Sequence, residues 1–198
     1  MRHCSSVAQV ERIRSFIAVD IGPEVRAALG AITRELARAG ADARWTRPEG
    51  MHATLKFLGA IEATQLETVH AAVERVAGRH GAMQLHARGL GAFPSLQRPR
   101  VLWCGLRCPG LPELASDIDD ELAPLGFEGE KRAFSAHVTL ARLRSGRGLA
   151  PLQHAVQQHI ADEFGEVDVA NVTIYRSTLR RDGAVYDALW TIPLGQHK

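Results

Sequence analysis

One four-residue pattern occurs twice in the chain and constrains the fold more than any other feature. His52-Ala53-Thr54-Leu55 and His137-Val138-Thr139-Leu140 share the form H-x-T-L and lie a little under half of the 198 residues apart. Arg47 and Arg132 each stand five residues before their histidine. Each copy falls in a short apolar segment between two stretches of helical periodicity. With nine histidines in the chain, on the order of 0.05 random matches are expected. A unit that recurs in equivalent surroundings signals an internal duplication, so the chain is expected to fold as two similar halves.

Strand geometry then dictates chemistry. Residues i and i+2 of a strand point to one face, so His52 projects with Thr54 and His137 with Thr139. A single strand histidine is ordinarily a hydrogen-bonded, half-buried residue, but two in matching contexts point to function. Two imidazoles, with ordinary pKa values of about 6.5, can serve as general base and general acid near neutral pH. Two threonine hydroxyls can donate to phosphate oxygens. H-E-x-x-H, H-x-H and Asp-rich clusters are absent from the sequence, so neither a metal site nor a cofactor is expected.

The order of elements predicts an α+β fold with antiparallel sheets. A strand is expected over 15–21, then a helix with Val25, Leu29, Ile32 and Leu36 on one face, ended by Gly40. A strand over 52–58, closed by Gly59, precedes a helix capped by Thr64 and Glu67. Extended segments follow over 84–93 and 100–106, then a helix with Leu114, Ile118, Leu122 and Leu125 inward. A strand over 137–143 leads to a fourth helix marked by Leu152, Val156, Ile160 and Phe164. Two last strands, 167–175 and 185–194, flank Arg181-Asp182-Gly183, whose Asp-Gly pair is a hairpin signal.

Composition excludes several classes. Hydrophobic residues make up 45% and charged residues 23%, as in a globular chain. The start of the sequence lacks the apolar stretch of a secretory signal, and no apolar run is long enough to span a bilayer, so a cytoplasmic protein with no membrane partner is expected. Net charge is only +2, too little for a broad footprint on long nucleic acid. The strong bases are nearly all arginine, with Lys56, Lys131 and Lys198 as the lysines. Most of these arginines are read as the mark of a GC-rich genome, with a local basic site for a small or terminal phosphate as the alternative. Cys4, Cys104 and Cys108 are too few for a paired zinc-ligand set and are read as reduced thiols.

The sequence resembles the 2H phosphoesterase superfamily, and more closely the RNA 2′,3′-cyclic phosphodiesterase family, also called 2′-5′ RNA ligase (LigT-like). The likeness runs from about Arg14 onward. It includes Arg14-Ser15-Phe16-Ile17-Ala18, Trp45, the block His52-Ala53-Thr54-Leu55-Lys56-Phe57-Leu58-Gly59, Gly91-Ala92-Phe93-Pro94, Pro99-Arg100-Val101-Leu102-Trp103, His137-Val138-Thr139-Leu140-Ala141-Arg142 and residues 175–186. It departs at Ala136, where the family commonly has proline before the second histidine. Residues 1–13 precede the family's usual start and are expected to be an extension to one bilobal domain over 14–198.

The resemblance implies two pseudo-symmetric lobes, each an antiparallel sheet with helices on its outer side, around a central groove. It implies metal-independent hydrolysis of RNA 2′,3′-cyclic phosphate ends to a 2′-phosphate and a 3′ hydroxyl, with His52 as acid and His137 as base. Thr54 and Thr139 would hold the phosphate. Arg142 would contact it too, although its odd offset from His137 points it to the opposite strand face and leaves a solvated arginine as the alternative. Phe57, at the matching offset in the first copy, is either a base-stacking residue or core. Substrates would be RNA ends or nucleoside 2′,3′-cyclic phosphates, acted on by a monomer. A cyclic phosphodiesterase of a small nucleotide, a reversible 2′-5′ RNA ligase and a non-catalytic RNA-binding module are the alternatives. Trp45, Trp103 and Trp190 are expected to pack, and His70, His80, His154 and His159 to have no role in the site.

Overall fold

A computed structural model describes residues 11–130, 132–180 and 183–195. In chain order the elements are β1 (Arg12–Val19), α1 (Pro23–Ala37), β2 (Ala43–Trp45), β3 (Ala53–Glu62), α2 (Leu66–Ala77), β4 (Met83–Phe93), β5 (Val101–Arg107), α3 (Gly110–Leu122), β6 (His137–Leu143), α4 (Leu149–Gln158), β7 (Glu163–Val169), β8 (Asn171–Arg180) and β9 (Gly183–Pro193). Among the described residues the strands form one antiparallel sheet in the order β7-β4-β5-β6-β3-β1-β8-β9, with β2 added beside β6.

The sheet is two four-strand halves, β3-β1-β8-β9 and β6-β5-β4-β7, that meet at β3 and β6. The halves are built alike. In each, an inner strand carries the repeated motif and its neighbour precedes it in sequence. The helix after that neighbour crosses over: α1, which follows β1, packs on β7 and α4, while α3, which follows β5, packs on β3 and α2. The helix after each motif strand stays home, α2 on β8 and β9, α4 on β4. The four helices bury the apolar stripes that 3.6-residue periodicity predicts, such as Val25, Leu29, Ile32 and Leu36 on α1. Under them Ile17, Leu85, Leu102 and Leu140 are fully buried, each worth roughly 1.5–3 kcal/mol of transfer free energy.

The α+β architecture and the bounds of β6 agree with the sequence reading. Other expectations need correction. Gly59 does not close its strand: β3 continues to Glu62 through a bulge at which Gly59 has φ of +75°, a conformation glycine adopts freely. The cap before α2 is Glu62 with Gln65, not Thr64 with Glu67; Gln65 Oε1 accepts the Glu62 N–H at 3.1 Å. Helix α4 stops at Gln158, so Ile160 is exposed and Phe164 belongs to β7. The segment 167–175 is two strands. Ala170 divides β7, paired with β4 at one edge, from β8, paired with β1 in the other half. Arg12 and Ile13 of the expected extension pair with Glu62 and Ile61 in β1, and residues 1–10 lie outside the described residues. Strands β8 and β9 form the expected hairpin, with Arg180 opposite Gly183; Arg181 and Asp182 lie outside the described residues.

Candidate active site

The two motifs meet. Ala53 of β3 pairs with Val138 of β6. Antiparallel register therefore sets His52 beside Thr139 and Thr54 beside His137. Ala53 and Val138 are 1% and 0% exposed on the core face, while the four histidine and threonine side chains are half-buried on the other. The middle residues of the motifs thus mark the pseudo-twofold, and the two histidines and two threonines cluster around it. The Thr54 and Thr139 hydroxyls make no hydrogen bond within the described residues, so both are free to bind a ligand's oxygens.

The motif leucine has its own task. Opposite β1, Thr54 faces Ala18 and Lys56 faces Ile17, which leaves Leu55 as an extra residue. Opposite β5, Thr139 faces Trp103 and Ala141 faces Leu102, which leaves Leu140 extra. Each leucine is a β-bulge, and a bulge shifts the face alternation by one. Leu55 and Lys56 are both buried, as are Leu140 and Ala141. Phe57 and Arg142 therefore return to the face of the histidines, and both are exposed. The parity argument that turned Arg142 away from His137 fails for this reason. Phe57, 64% exposed, is not core.

Each imidazole is oriented by the backbone two residues earlier. His137 Nδ1–H donates to the Ser135 carbonyl at 2.7 Å, and His52 makes a hydrogen bond to the backbone of Gly50. A proton committed to Nδ1 of His137 leaves its Nε2 lone pair free. Ala136, at the family's proline position, accepts the Leu106 N–H at 3.1 Å through its carbonyl, which ties the start of β6 to β5.

The surroundings of the two rings differ. His52 stacks on Phe16 with ring centroids 4.6 Å apart, and Tyr186 meets it edge-on at 5.1 Å. Tyr175 stacks on Phe16 at 5.2 Å and lies 6.0 Å from the His52 ring. Burial lowers His52 to about 4, against a partial lift from the Gly50 hydrogen bond and the Asp20 carboxylate. Burial also raises the Tyr175 phenol, so it stays neutral. His137 meets Phe93 edge-on at 5.1 Å.

Trp103 packs as expected, against Phe93 at 5.2 Å, but on the side of β5 that carries Thr139, its partner in the register. Its indole covers Gly91, where an added Cβ would lie 2.3 Å from the ring, so only glycine fits beneath it. Strand parity relative to a motif residue on another strand reveals this, and that pairing is not visible in the sequence. Trp45 and Trp190 pack against the core as expected, Trp190 also stacking on His70 at 5.0 Å. Lys56 had been given no role. It is 3% exposed, pairs with the Asp119 carboxylate and donates to the Glu128 carbonyl at 2.7 Å. Asp119 also accepts the Glu130 N–H at 2.7 Å. Together these bonds hold the loop that leads towards β6. His80 and His159 pair with acidic groups away from the motifs. Arg47 and Arg132 are exposed. Cys104 and Cys108 are buried free thiols, and burial raises Cys104 to about 12; Cys4 lies outside the described residues. No group of three His, Cys, Asp or Glu suited to a metal ion occurs among the described residues.

The chain matches the LigT-like phosphoesterase family model over residues 19–103 and 109–186. It belongs to the LigT-like phosphoesterase family. Similar proteins include the RNA 2′,3′-cyclic phosphodiesterase of Aeropyrum pernix, 33% identical over 83% of this chain and 93% of that one. The enzyme of the same name from Archaeoglobus fulgidus is 30% identical over 89% and 98%. Among solved structures, a Thermus thermophilus protein superposes with a TM-score of 0.80 at 28% identity, covering 93% of this chain and all of that one. E. coli LigT complexed with 3′-AMP gives 0.72 at 26% identity over 94% and 100%. This LigT-like phosphoesterase shares their curled antiparallel sheet with four helices. Among its described residues no helix is long and apolar enough to cross a membrane.

Proposed function

We propose that this LigT-like phosphoesterase hydrolyses the 2′,3′-cyclic phosphate ends of RNA without a metal ion, leaving a 2′-phosphate and a 3′ hydroxyl. The observation that carries the proposal is the register of Ala53 on Val138, which gathers two imidazoles and two unbonded hydroxyls at one point. His137 removes a proton from water as its oxygen bonds to phosphorus. The P–O3′ bond breaks, and His52 gives its proton to the departing 3′ oxygen. Thr54 and Thr139 donate to the non-bridging oxygens, Arg142 balances their charge, and Phe57 stacks on the terminal base.

The low pKa of His52 bears on this order. In the free protein it is neutral at pH 7, whereas an acid must carry a proton. A phosphodiester anion seated against the ring favours the charged form, so substrate binding supplies the protonated acid. The matching bulges support one bilobal domain formed by duplication. Similarity to curated enzymes named RNA 2′,3′-cyclic phosphodiesterase supports the substrate class.

The test is product analysis with 2′,3′-cyclic AMP and with an oligoribonucleotide ending in a cyclic phosphate, each with and without EDTA. Release of 2′-phosphate in both conditions is expected. Loss on chelation, restored by one divalent ion, would overturn metal independence. Absence of turnover with both substrates would leave a nucleotide-binding module instead.

A further inference from the structure

Arg44 lies at the centre of β2, directly opposite Arg142 of β6. Directly opposed residues on antiparallel strands point to the same face, with Cβ atoms roughly 4.5–5.5 Å apart, and like charges so placed destabilise the pair. Their strand neighbours alternate correctly: Trp45 and its partner Ala141 turn to the core. Both arginines are exposed, and neither has an ion-pair or hydrogen-bond partner for its side chain among the described residues. The start of β9 lies beside the Arg44 guanidinium: a Cβ added at Gly183 would lie 3.6 Å from Arg44 Nη2. Two cations with no partner among the described residues therefore stand together on the face that carries His137 and Thr139.

Charge balance shows what they await. A cyclic phosphodiester carries one negative charge, and Arg142 alone can neutralise it. The two arginines stand side by side three residues along β6 from Thr139, so once one guanidinium, that of Arg142, reaches back to the reacting group the other is left for a further anion. In an RNA chain the next anion is the phosphodiester on the 5′ side of the terminal nucleoside. We propose that Arg44 binds this penultimate phosphate and makes the enzyme favour chains over mononucleotides. The proposal rests on the function proposed above and assigns a second subsite to the same groove.

The experiment compares kcat/KM on three substrates: a nucleoside 2′,3′-cyclic phosphate, a dinucleotide ending in the cyclic phosphate, and the same dinucleotide with a neutral methylphosphonate linkage. Arg44→Ala is expected to reduce turnover of the charged dinucleotide about tenfold and to leave the mononucleotide and the neutral dinucleotide unchanged. Arg44→Lys should recover part of the loss. The salt slope for the charged dinucleotide should fall by about 0.7 in the alanine variant, the release from one single-strand phosphate contact. Equal loss on all three substrates, or no loss on any, would overturn the Arg44 subsite while leaving the cyclic phosphodiesterase reading intact. Failure of the unaltered protein to turn over any of the three would instead overturn that reading, and the subsite with it.

Discussion

The two halves of the molecule are the same device lined differently. In each, a motif strand bulges at its leucine against the strand that precedes it, and an aromatic residue lies one strand further out: Tyr175 opposite Phe16, Phe93 opposite Val101. The linings then diverge. Where the first half has Phe16, Ala18, Lys56 and Phe57, the second has Val101, Trp103, Ala141 and Arg142. Phe16 forms a stacked wall against His52, and burial there drives the ring towards neutrality. Among the described residues His137 makes an edge-on contact with Phe93 and has no stacked ring beside it. Two equivalent strands supply the two histidines, and their unequal neighbours give one pair of like groups two environments.

The strongest way to break this comparison is to remove each histidine in turn. His52→Ala and His137→Ala should each lower kcat roughly 10²–10⁴-fold with the fold retained, since each deletes a proton-transfer group. Near-normal turnover in either folded variant would sink the two-histidine mechanism.

Lys56 has no counterpart in the second half, where Ala141 fills the site. Lys56→Met should cost about 3 kcal/mol, because it leaves Asp119 without its cation; the 20% exposure of Asp119 keeps this at the low end. A lower denaturant midpoint at constant slope is the expected signature. A change below about 0.5 kcal/mol, the range of ordinary surface substitutions, would show that the pair is not structural.

The titration of His52 sharpens the contrast. Its pKa is about 4 when folded against 6.5 unfolded, so above pH 6.5 it contributes nothing to pH dependence. As pH falls from 6.5 to 4 the unfolded chain takes a proton that the folded chain refuses, and stability declines by up to about 3 kcal/mol before levelling. His52→Gln should remove that slope. NMR titration of the free protein should give the low value, and inorganic phosphate should raise it. An unshifted His52 in the free protein would mean that Phe16, Tyr175 and Tyr186 do not desolvate it.

The smallest effect is expected at the threonines. Thr54→Ala and Thr139→Ala should each cost about 1–2 kcal/mol in kcat/KM from a lost phosphate hydrogen bond, with similar losses because their positions are equivalent. A loss at one of them as large as that of a histidine variant would give that hydroxyl a different part in the reaction.

Local pattern explains what was legible beforehand. Helix faces such as Leu114-Ile118-Leu122 follow from periodicity along one segment, and β6 begins and ends where its own residues set it. The break at Ala170 was invisible because no glycine or proline marks it, and the two strands it separates are distinguished only by their distant partners β4 and β1. Phe164 fell on the helical spacing of α4, yet pairing with β4 drew it into β7.

The amino-acid sequence by itself determined that two equivalent strands each present a histidine and a threonine on one face, since that requires only the two-residue period of an extended chain. Which further residues join them was decided by the tertiary structure. Leu55 and Leu140 become bulges only against β1 and β5, and those bulges carry Phe57 and Arg142 to the reactive face. Trp103 reaches the cleft through its pairing with Thr139, Arg44 reaches Arg142 through β2, and His52 loses its water to rings from β1, β8 and β9. Each of these depends on which strand lies opposite and in what register, and that information is non-local: it exists only once the chain has closed its sheet.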